Sequence, residues 1–212
     1  MKIARTPLMF TLALALTVGS TASRSALADE GHDHGKHGHD HGAMVKQERK
    51  ISEAFSALSA DDQKLAKAQR FCPIMTYDRL GSMGTPMKVT IDGKPVFLCC
   101  KSCKDEAVKG GAKTVKTVGK LRDATKTLAK LPMNERMAIE AQKYCAIAST
   151  SLLGSMGNPI KLEIEGKPVY LCCNGCSKKA SADPSGTLAK AVKLKKAGTL
   201  NGHDQKHADH QH

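Results

Sequence analysis

The chain has 212 residues, with 33 Lys and Arg against 20 Asp and Glu, eight Cys, nine His, no Trp and only 3% aromatic residues. So few aromatic side chains count against single-stranded nucleic-acid binding, which needs stacking surfaces beside its positive charge, and against a large enzyme domain with a deep cleft. A small domain with a poor core usually depends on disulfides or a bound metal, and eight cysteines would serve either purpose.

Residues 1–28 have the pattern of a secretory signal peptide. Lys2 and Arg5 precede an apolar run from Leu8 to Val18, and Ala26-Leu27-Ala28 supplies a small-x-small cleavage site. The apolar run is shorter than the roughly 20 residues that span a bilayer. We predict cleavage near Ala28, export to the periplasm or the cell exterior, and no transmembrane segment in the mature chain.

Histidines cluster at both ends of the mature chain. Residues 29–57 are predicted to be a disordered His-rich segment, and residues 199–212 a sparser tail of the same kind. Neutral imidazole binds Zn, Cu(II) and Ni(II) well, although a solvated tail without a ligand role is the simpler alternative. The predicted imidazole ligands are His32, His34, His37, His39 and His41.

A tandem repeat fills the region between the two ends. Sliding the sequence by 73 residues superposes Cys72 to Cys103 on Cys145 to Cys176, and 16 of the last 24 aligned positions are identical. The repeat divides this region into two modules of one kind. We place their boundaries at residues 58–130 and 131–198, with four cysteines in each.

The sequences of the two modules predict the same order of secondary-structure elements. In the first, Ser59 is the expected N-cap of a helix that ends near Arg70, and a loop beginning at Cys72 follows. A strand is predicted near Lys88 to Ile91, followed by a hairpin turn at Asp92-Gly93, because Asp-Gly favours two-residue hairpin turns. The chain returns as an edge strand, because Pro95 cannot donate a hydrogen bond within a central strand. A Lys-rich helix follows the next cysteines.

The cysteines meet where the second strand joins that helix. A tight corner holds thiolates two or three residues apart, and the distant loop cysteine closes the shell from the other side, as Zn(II) and Cu(I) accept. Successive strand side chains point to opposite faces, so we expect only one cysteine of each neighbouring pair to face the metal, and the choice between them stays open. The predicted thiolate ligands are Cys72, Cys99, Cys100 and Cys103, and Cys145, Cys172, Cys173 and Cys176.

These residues give the chain its resemblance to a known family. Cys72, the hairpin and Cys99-x3-Cys103 resemble the TRASH and YHS group of small heavy-metal-binding domains, once per repeat. The resemblance implies an α+β fold with two small tandem treble-clef-like modules, each a β-hairpin plus helices. It also implies metal handling without catalysis, with copper the metal most often associated.

The remaining features leave several alternatives open. Residues 101–130 carry nine Lys and Arg against three acids, a pattern typical of a solvated helix face. The methionines, including Met83 and Met156, are more often core residues than ligands. An exported chain with an even cysteine count can also be a disulfide-stapled interaction module or, more weakly supported, a thiol-disulfide redox protein.

Taken as a whole, the sequence predicts an exported, non-enzymatic protein that sequesters Cu(I) or zinc or hands it over. The expected partners are metal ions and a metal exporter or metallochaperone. Nucleic acid is not an expected partner, because the chain is predicted to leave the cell interior.

Overall fold

The structure is a computed structural model that describes residues 41–203, with side chains described from 45 to 199. It is a mixed α+β fold with two separate two-stranded antiparallel sheets. In the first half the elements are α1 (His41–Ser56), α2 (Ala60–Gln69), β1 (Met87–Ile91), β2 (Lys94–Leu98), a 3-10 turn (Lys101–Cys103), α3 (Lys104–Gly110) and α4 (Ala112–Leu128). The second half contains α5 (Met133–Gln142), β3 (Ile160–Ile164), β4 (Lys167–Leu171), α6 (Asn174–Ala182) and α7 (Pro184–His203).

Both hairpins form where the sequence predicts them. Met87 pairs with Leu98 at one end of the first ladder and Ile91 pairs with Lys94 at the other. The two turn residues, Asp92 and Gly93, have positive φ values of 50° and 70°, as a two-residue turn of type I′ requires. The second hairpin has the same register, from Ile160 with Leu171 to Ile164 with Lys167.

The helix before the first hairpin also follows its prediction. α2 begins after Ser59, whose hydroxyl accepts a hydrogen bond of 3.2 Å from the backbone N–H of Asp62. In the second half, Pro132 occupies the N-cap position and α5 begins at Met133. The two helices place equivalent residues, Gln69 and Gln142, at their last turn.

The disorder predicted for residues 29–57 is wrong for residues 41–56, which form α1. Ile51 and Phe55 lie four positions apart, so they share one face of this helix, and both are buried in the first hydrophobic core. The prediction followed the histidine cluster at residues 32–41 and extended it over residues 42–57, which contain no histidine. At the other end, residues 199–203 belong to α7 rather than to a separate tail.

Each half contains an equivalent glycine-containing loop, and a helix packs against each of these loops. The loop residue Gly81 faces Ile51 and Phe55 of α1, and Gly154 faces Ala124 and Leu128 of α4. Helix α4 therefore leaves the first half and forms part of the second core, to which Leu128 belongs. The predicted boundary near residue 130 cuts through this shared packing.

Substituting Gly81 tests how tightly α1 closes on the loop. An added Cβ would lie 2.9 Å from Cε2 of Phe55, and Gly81 has a φ of +87°. We expect Gly81→Ala to lower the free energy of unfolding by about 2–4 kcal/mol, because backbone strain and overpacking both contribute. Urea unfolding measures the effect.

Gly84→Ala is the matched control for this prediction. Gly84 has a φ of +112° and nothing within 4 Å of an added Cβ. Only backbone strain of about 1–3 kcal/mol should then appear. Equal losses for the two variants would show that α1 does not pack against Gly81.

The two halves touch through apolar packing of Phe71, Leu121 and Ala124 with Leu152 and through polar and aromatic contacts. Arg70 donates two hydrogen bonds to the carboxylate of Glu140, at 2.8 and 2.9 Å. Tyr144 donates its hydroxyl hydrogen to Oγ1 of Thr76 at 2.7 Å, and its ring meets that of Tyr77 edge-on at 6.0 Å between centroids. Several of the few aromatic residues are therefore used between the halves rather than inside one core.

Some sequence predictions lie outside the described residues. These are the signal peptide, the His-rich residues up to 40 and the tail beyond residue 203, together with the side chain of His41. Within the described part of the chain, no helix combines the length and apolar character needed to cross a bilayer.

Candidate metal centre

Three buried thiols converge in each half of the molecule. The Sγ atoms of Cys72, Cys99 and Cys103 all lie within 4.8 Å of one another. Their residues are at most 3% exposed and belong to the first hydrophobic core. In the second half the same arrangement is formed by Cys145, Cys172 and Cys176.

The local elements explain why these thiols meet. Cys72 follows α2 and begins a tight loop, closed by a 3.0 Å hydrogen bond from its own N–H to the carbonyl of Asp78. Cys99 follows β2, and Cys103 ends the 3-10 turn that leads into α3. The loop and the strand-helix corner approach the same point from opposite sides, as the spacing predicts.

The structure separates the two members of each neighbouring pair. Cys99 joins the buried group in the first half and Cys172 joins it in the second. Cys100 is only half-buried, and Cys173 is exposed. The sequence left open which cysteine of each neighbouring pair faces the centre. In both halves it is the first residue after the strand, which faces inward.

The sulfur separations suit a metal ion. Sγ of Cys99 lies 3.8 Å from Sγ of Cys103, and Sγ of Cys172 lies 3.7 Å from Sγ of Cys176. Zn–S bonds of about 2.3 Å in a tetrahedral site place neighbouring sulfurs about 3.8 Å apart. All eight cysteines are free thiols in the structure, so each group offers the ligands that a soft or borderline ion accepts.

The charge that these thiols would carry is strongly constrained in the first half. A hydrogen bond with the Cys99 thiol lowers the pKa of Cys72 to about 6, and backbone N–H groups of Met75 and Ile74 help. The pKa of Cys99 is raised far above its ordinary value, mainly by the same hydrogen bond with Cys72 and secondly by burial. Burial and the nearby Cys72 thiolate raise the pKa of Cys103 to about 12. The buried group can therefore hold one thiolate, but three thiolates together require a bound cation to offset their charge.

The second half repeats this pattern. Burial opposes ionisation of Cys145, but backbone N–H groups, led by that of Ala148, lower its pKa on balance. That N–H lies 3.4 Å from Sγ of Cys145. Burial is the main cause of the raised pKa values of Cys172 and Cys176. Each group therefore pairs one easily ionised loop thiol with two reluctant corner thiols.

Two buried glutamines position the cysteine segments, a role that the sequence analysis missed. Nε2 of Gln69 donates to the carbonyls of Phe97 at 2.6 Å and Phe71 at 3.0 Å, and its Oε1 accepts from the N–H of Phe97 at 3.0 Å. Phe71 precedes Cys72, and Phe97 lies two residues before Cys99. Gln142 bonds to Tyr144 and Tyr170 in the same way. The repeated Ala-Gln before each loop cysteine was the available signal.

Replacing Gln69 should destabilise the first half. Gln69→Leu leaves buried backbone groups of Phe97 and Phe71 without these partners, and we expect a loss of about 2–4 kcal/mol in the free energy of unfolding. Gln63→Leu, on the same helix, removes only one partly buried bond to the carbonyl of Leu58 and should cost at most about 1 kcal/mol. Urea unfolding under identical conditions compares the two. Similar costs would contradict the positioning role.

The structure does not describe the predicted imidazole ligands. His32, His34, His37 and His39 lie outside the described residues, and so does the side chain of His41. The expectation that Met83 and Met156 are core residues is wrong, because they are 47% and 60% exposed.

Comparison with known proteins found no matching family model, no matching curated protein and no matching solved structure. Any function assigned to the chain therefore has to follow from its own residues and their geometry.

Proposed function

We propose that this chain is an exported, non-enzymatic heavy-metal-binding protein that sequesters ions or hands them over. The observation that carries the proposal is the pair of buried three-thiol groups, Cys72-Cys99-Cys103 and Cys145-Cys172-Cys176. A disulfide-stapled module pairs its cysteines two by two, whereas each half groups three buried thiols within 4.8 Å of one another. The two halves are, on this proposal, tandem treble-clef-like modules similar to the TRASH and YHS domains.

The ligand set favours Cu(I), with zinc as the second choice. Thiolates without nitrogen or oxygen partners select soft ions, and Cu(I) is satisfied by three of them. Structural zinc sites almost always have four ligands, so zinc would recruit one more. In the first half Cys100 offers a further sulfur, 3.6 Å from Sγ of Cys103.

The compartment and partners complete the proposal. The leader-like pattern of residues 1–28 supports export of the mature chain to the periplasm or the cell exterior, where a metal exporter or metallochaperone would receive the ion. The imidazoles from His32 to His41 would form a second class of site, for borderline ions such as Zn(II) or Cu(II).

Metal and thiol counts on one preparation test this proposal. Mature protein isolated under mild reduction should hold about two ions per chain at sulfur, one for each half, and its six buried thiols should be protected from alkylation. The competing class is the disulfide-stapled module. Four disulfides and no sulfur-bound metal would establish that class instead.

Metal binding should release protons. At pH 7 the Cys72 thiol, with a pKa of about 6, is mostly ionised, whereas Cys99 and Cys103 keep their protons because their pKa values are raised. Binding at the first site should therefore release about two protons, and affinity should rise about 100-fold per pH unit between about pH 7 and 8. The sign follows because higher pH removes the competing protons.

Calorimetric titration in two buffers of different ionisation enthalpy counts these protons. A Cys103→Ser, Cys176→Ser double variant is the control, since it lacks one corner ligand in each half. Affinity that is independent of pH across this range would contradict the prediction.

A further inference from the structure

Each buried three-thiol group has an outer neighbour. In the first half, Sγ of Cys100 lies 3.6 Å from Sγ of Cys103 and 3.8 Å from Sγ of Cys99. In the second half, Sγ of Cys173 lies 3.9 Å from Sγ of Cys172. Both outer cysteines are more exposed than the three thiols beside them, and they occupy equivalent positions.

The buried groups pose a problem of access. Cys72, Cys99 and Cys103 are 0%, 1% and 3% exposed. A ligand carried by another molecule cannot reach an ion held at the centre of these three sulfurs. A protein that hands its ion over needs a route on which the ion is never left without ligands, since a bare cation in an apolar core is very costly.

The outer thiol supplies such a route in the first half. The edge from Cys99 to Cys103, 3.8 Å long, belongs to two triangles of sulfur. The inner triangle is completed by Cys72 and the outer one by Cys100. An ion that crosses this edge keeps both edge sulfurs and three-coordination, because it loses one sulfur as it gains another.

We propose that Cys100 and Cys173 are transfer ligands, through which a soft metal ion enters and leaves the buried three-thiolate sites. The proposal rests on the proposed function and adds a mechanism to it. On release, the metal–sulfur bond to Cys72 breaks and one to Cys100 forms. The Cys100 thiol releases its proton to solvent as its sulfur binds the metal, and Cys72 is left as a thiolate, so atoms and charge balance and no oxidation state changes. A thiolate or other soft ligand of an acceptor then replaces the protein's sulfurs at the outer triangle.

The two halves differ in this outer contact. Cys100 lies 3.0 Å from Oγ of Ser102, whereas Gly175 stands at the equivalent position of the second half. Cys173, like Cys100, interacts with both corner thiols of its group, Cys172 and Cys176.

The test measures rate and affinity on single-site proteins loaded with Cu(I). Cys176→Ser leaves the first site, and Cys100→Ser is then added to it. Transfer to bathocuproine disulfonate is followed by stopped-flow absorbance, and equilibrium competition with the same chelator gives the affinity. We expect transfer to slow at least about tenfold, while affinity changes by less than about threefold.

Ser102→Ala in the same background is the control, because it retains all the thiols of the first half, and it should change the rate by less than about twofold. Cys173→Ser in a Cys103→Ser background repeats the test on the second site. An unchanged or faster rate would overturn the proposal. A large loss of affinity would also overturn it, by making Cys100 a resident ligand. Failure of the single-site background to bind copper through sulfur would overturn the proposed function itself, and this is seen before any transfer is measured.

Discussion

Cys103→Ser is expected to remove one of the two ions bound per chain, and Cys176→Ser the other. Each substitution replaces a buried thiolate, in contact with its neighbour at 3.8 or 3.7 Å, by a hydroxyl that soft ions bind poorly. Loss of a residue that merely supports a metal ligand costs about 10–100-fold in affinity. Loss of the ligand itself should exceed that range. Native mass spectrometry of the metal-loaded variants counts the ions directly.

Cys100→Ser is the matched control for this prediction. It removes a thiol at the same strand-helix corner, but one that is half-buried rather than in the core. Both ions should remain bound in this variant. If Cys103→Ser kept two ions, or if Cys100→Ser and Cys103→Ser lost one equally, the buried three-thiol group would not be the binding site.

Removing the metal should loosen each half. The three thiols of each group are also members of a hydrophobic core, so ligand assembly and core packing are one event. An ion present at about 1,000 times its dissociation constant stabilises the folded state by about 4 kcal/mol for each site. A strong chelator should therefore lower the melting temperature by many degrees, and far-UV circular dichroism should change as structure is lost.

The control is the Cys103→Ser, Cys176→Ser double variant, which should melt at the same temperature with and without the chelator. An unchanged spectrum and melting temperature for the parent protein would contradict the coupling between binding and folding. Such a result would mean that the aliphatic cores suffice, despite the small number of aromatic residues.

The hairpins and the helix before each of them were predictable because their signals are local. Asp92-Gly93 and Glu165-Gly166 are turns that need positive φ at both residues, and the structure has it at both. Ser59 caps α2 through its own side chain. Such features depend on a few neighbouring residues, and their sequence signals occur in both copies of the repeat.

The features that were missed depend on contacts distant in sequence. The packing of α1 depends on Ile51 and Phe55 meeting Gly81, about 30 residues further along the chain. Gln69 reaches Phe97 across the fold. Strand alternation predicted that one cysteine of each pair faces inward, but the direction was fixed only by where β2 ends. Tertiary packing decides all of these, and local pattern does not.

X-ray absorption at the copper edge tests the central claim most directly. Protein loaded with two equivalents of Cu(I) under reducing conditions should show a first shell of about three sulfurs at about 2.3 Å, the length of a metal–thiolate bond. The Cys103→Ser, Cys176→Ser double variant should lose that shell. A first shell of nitrogen in the parent protein, with the eight cysteines oxidised, would contradict the account.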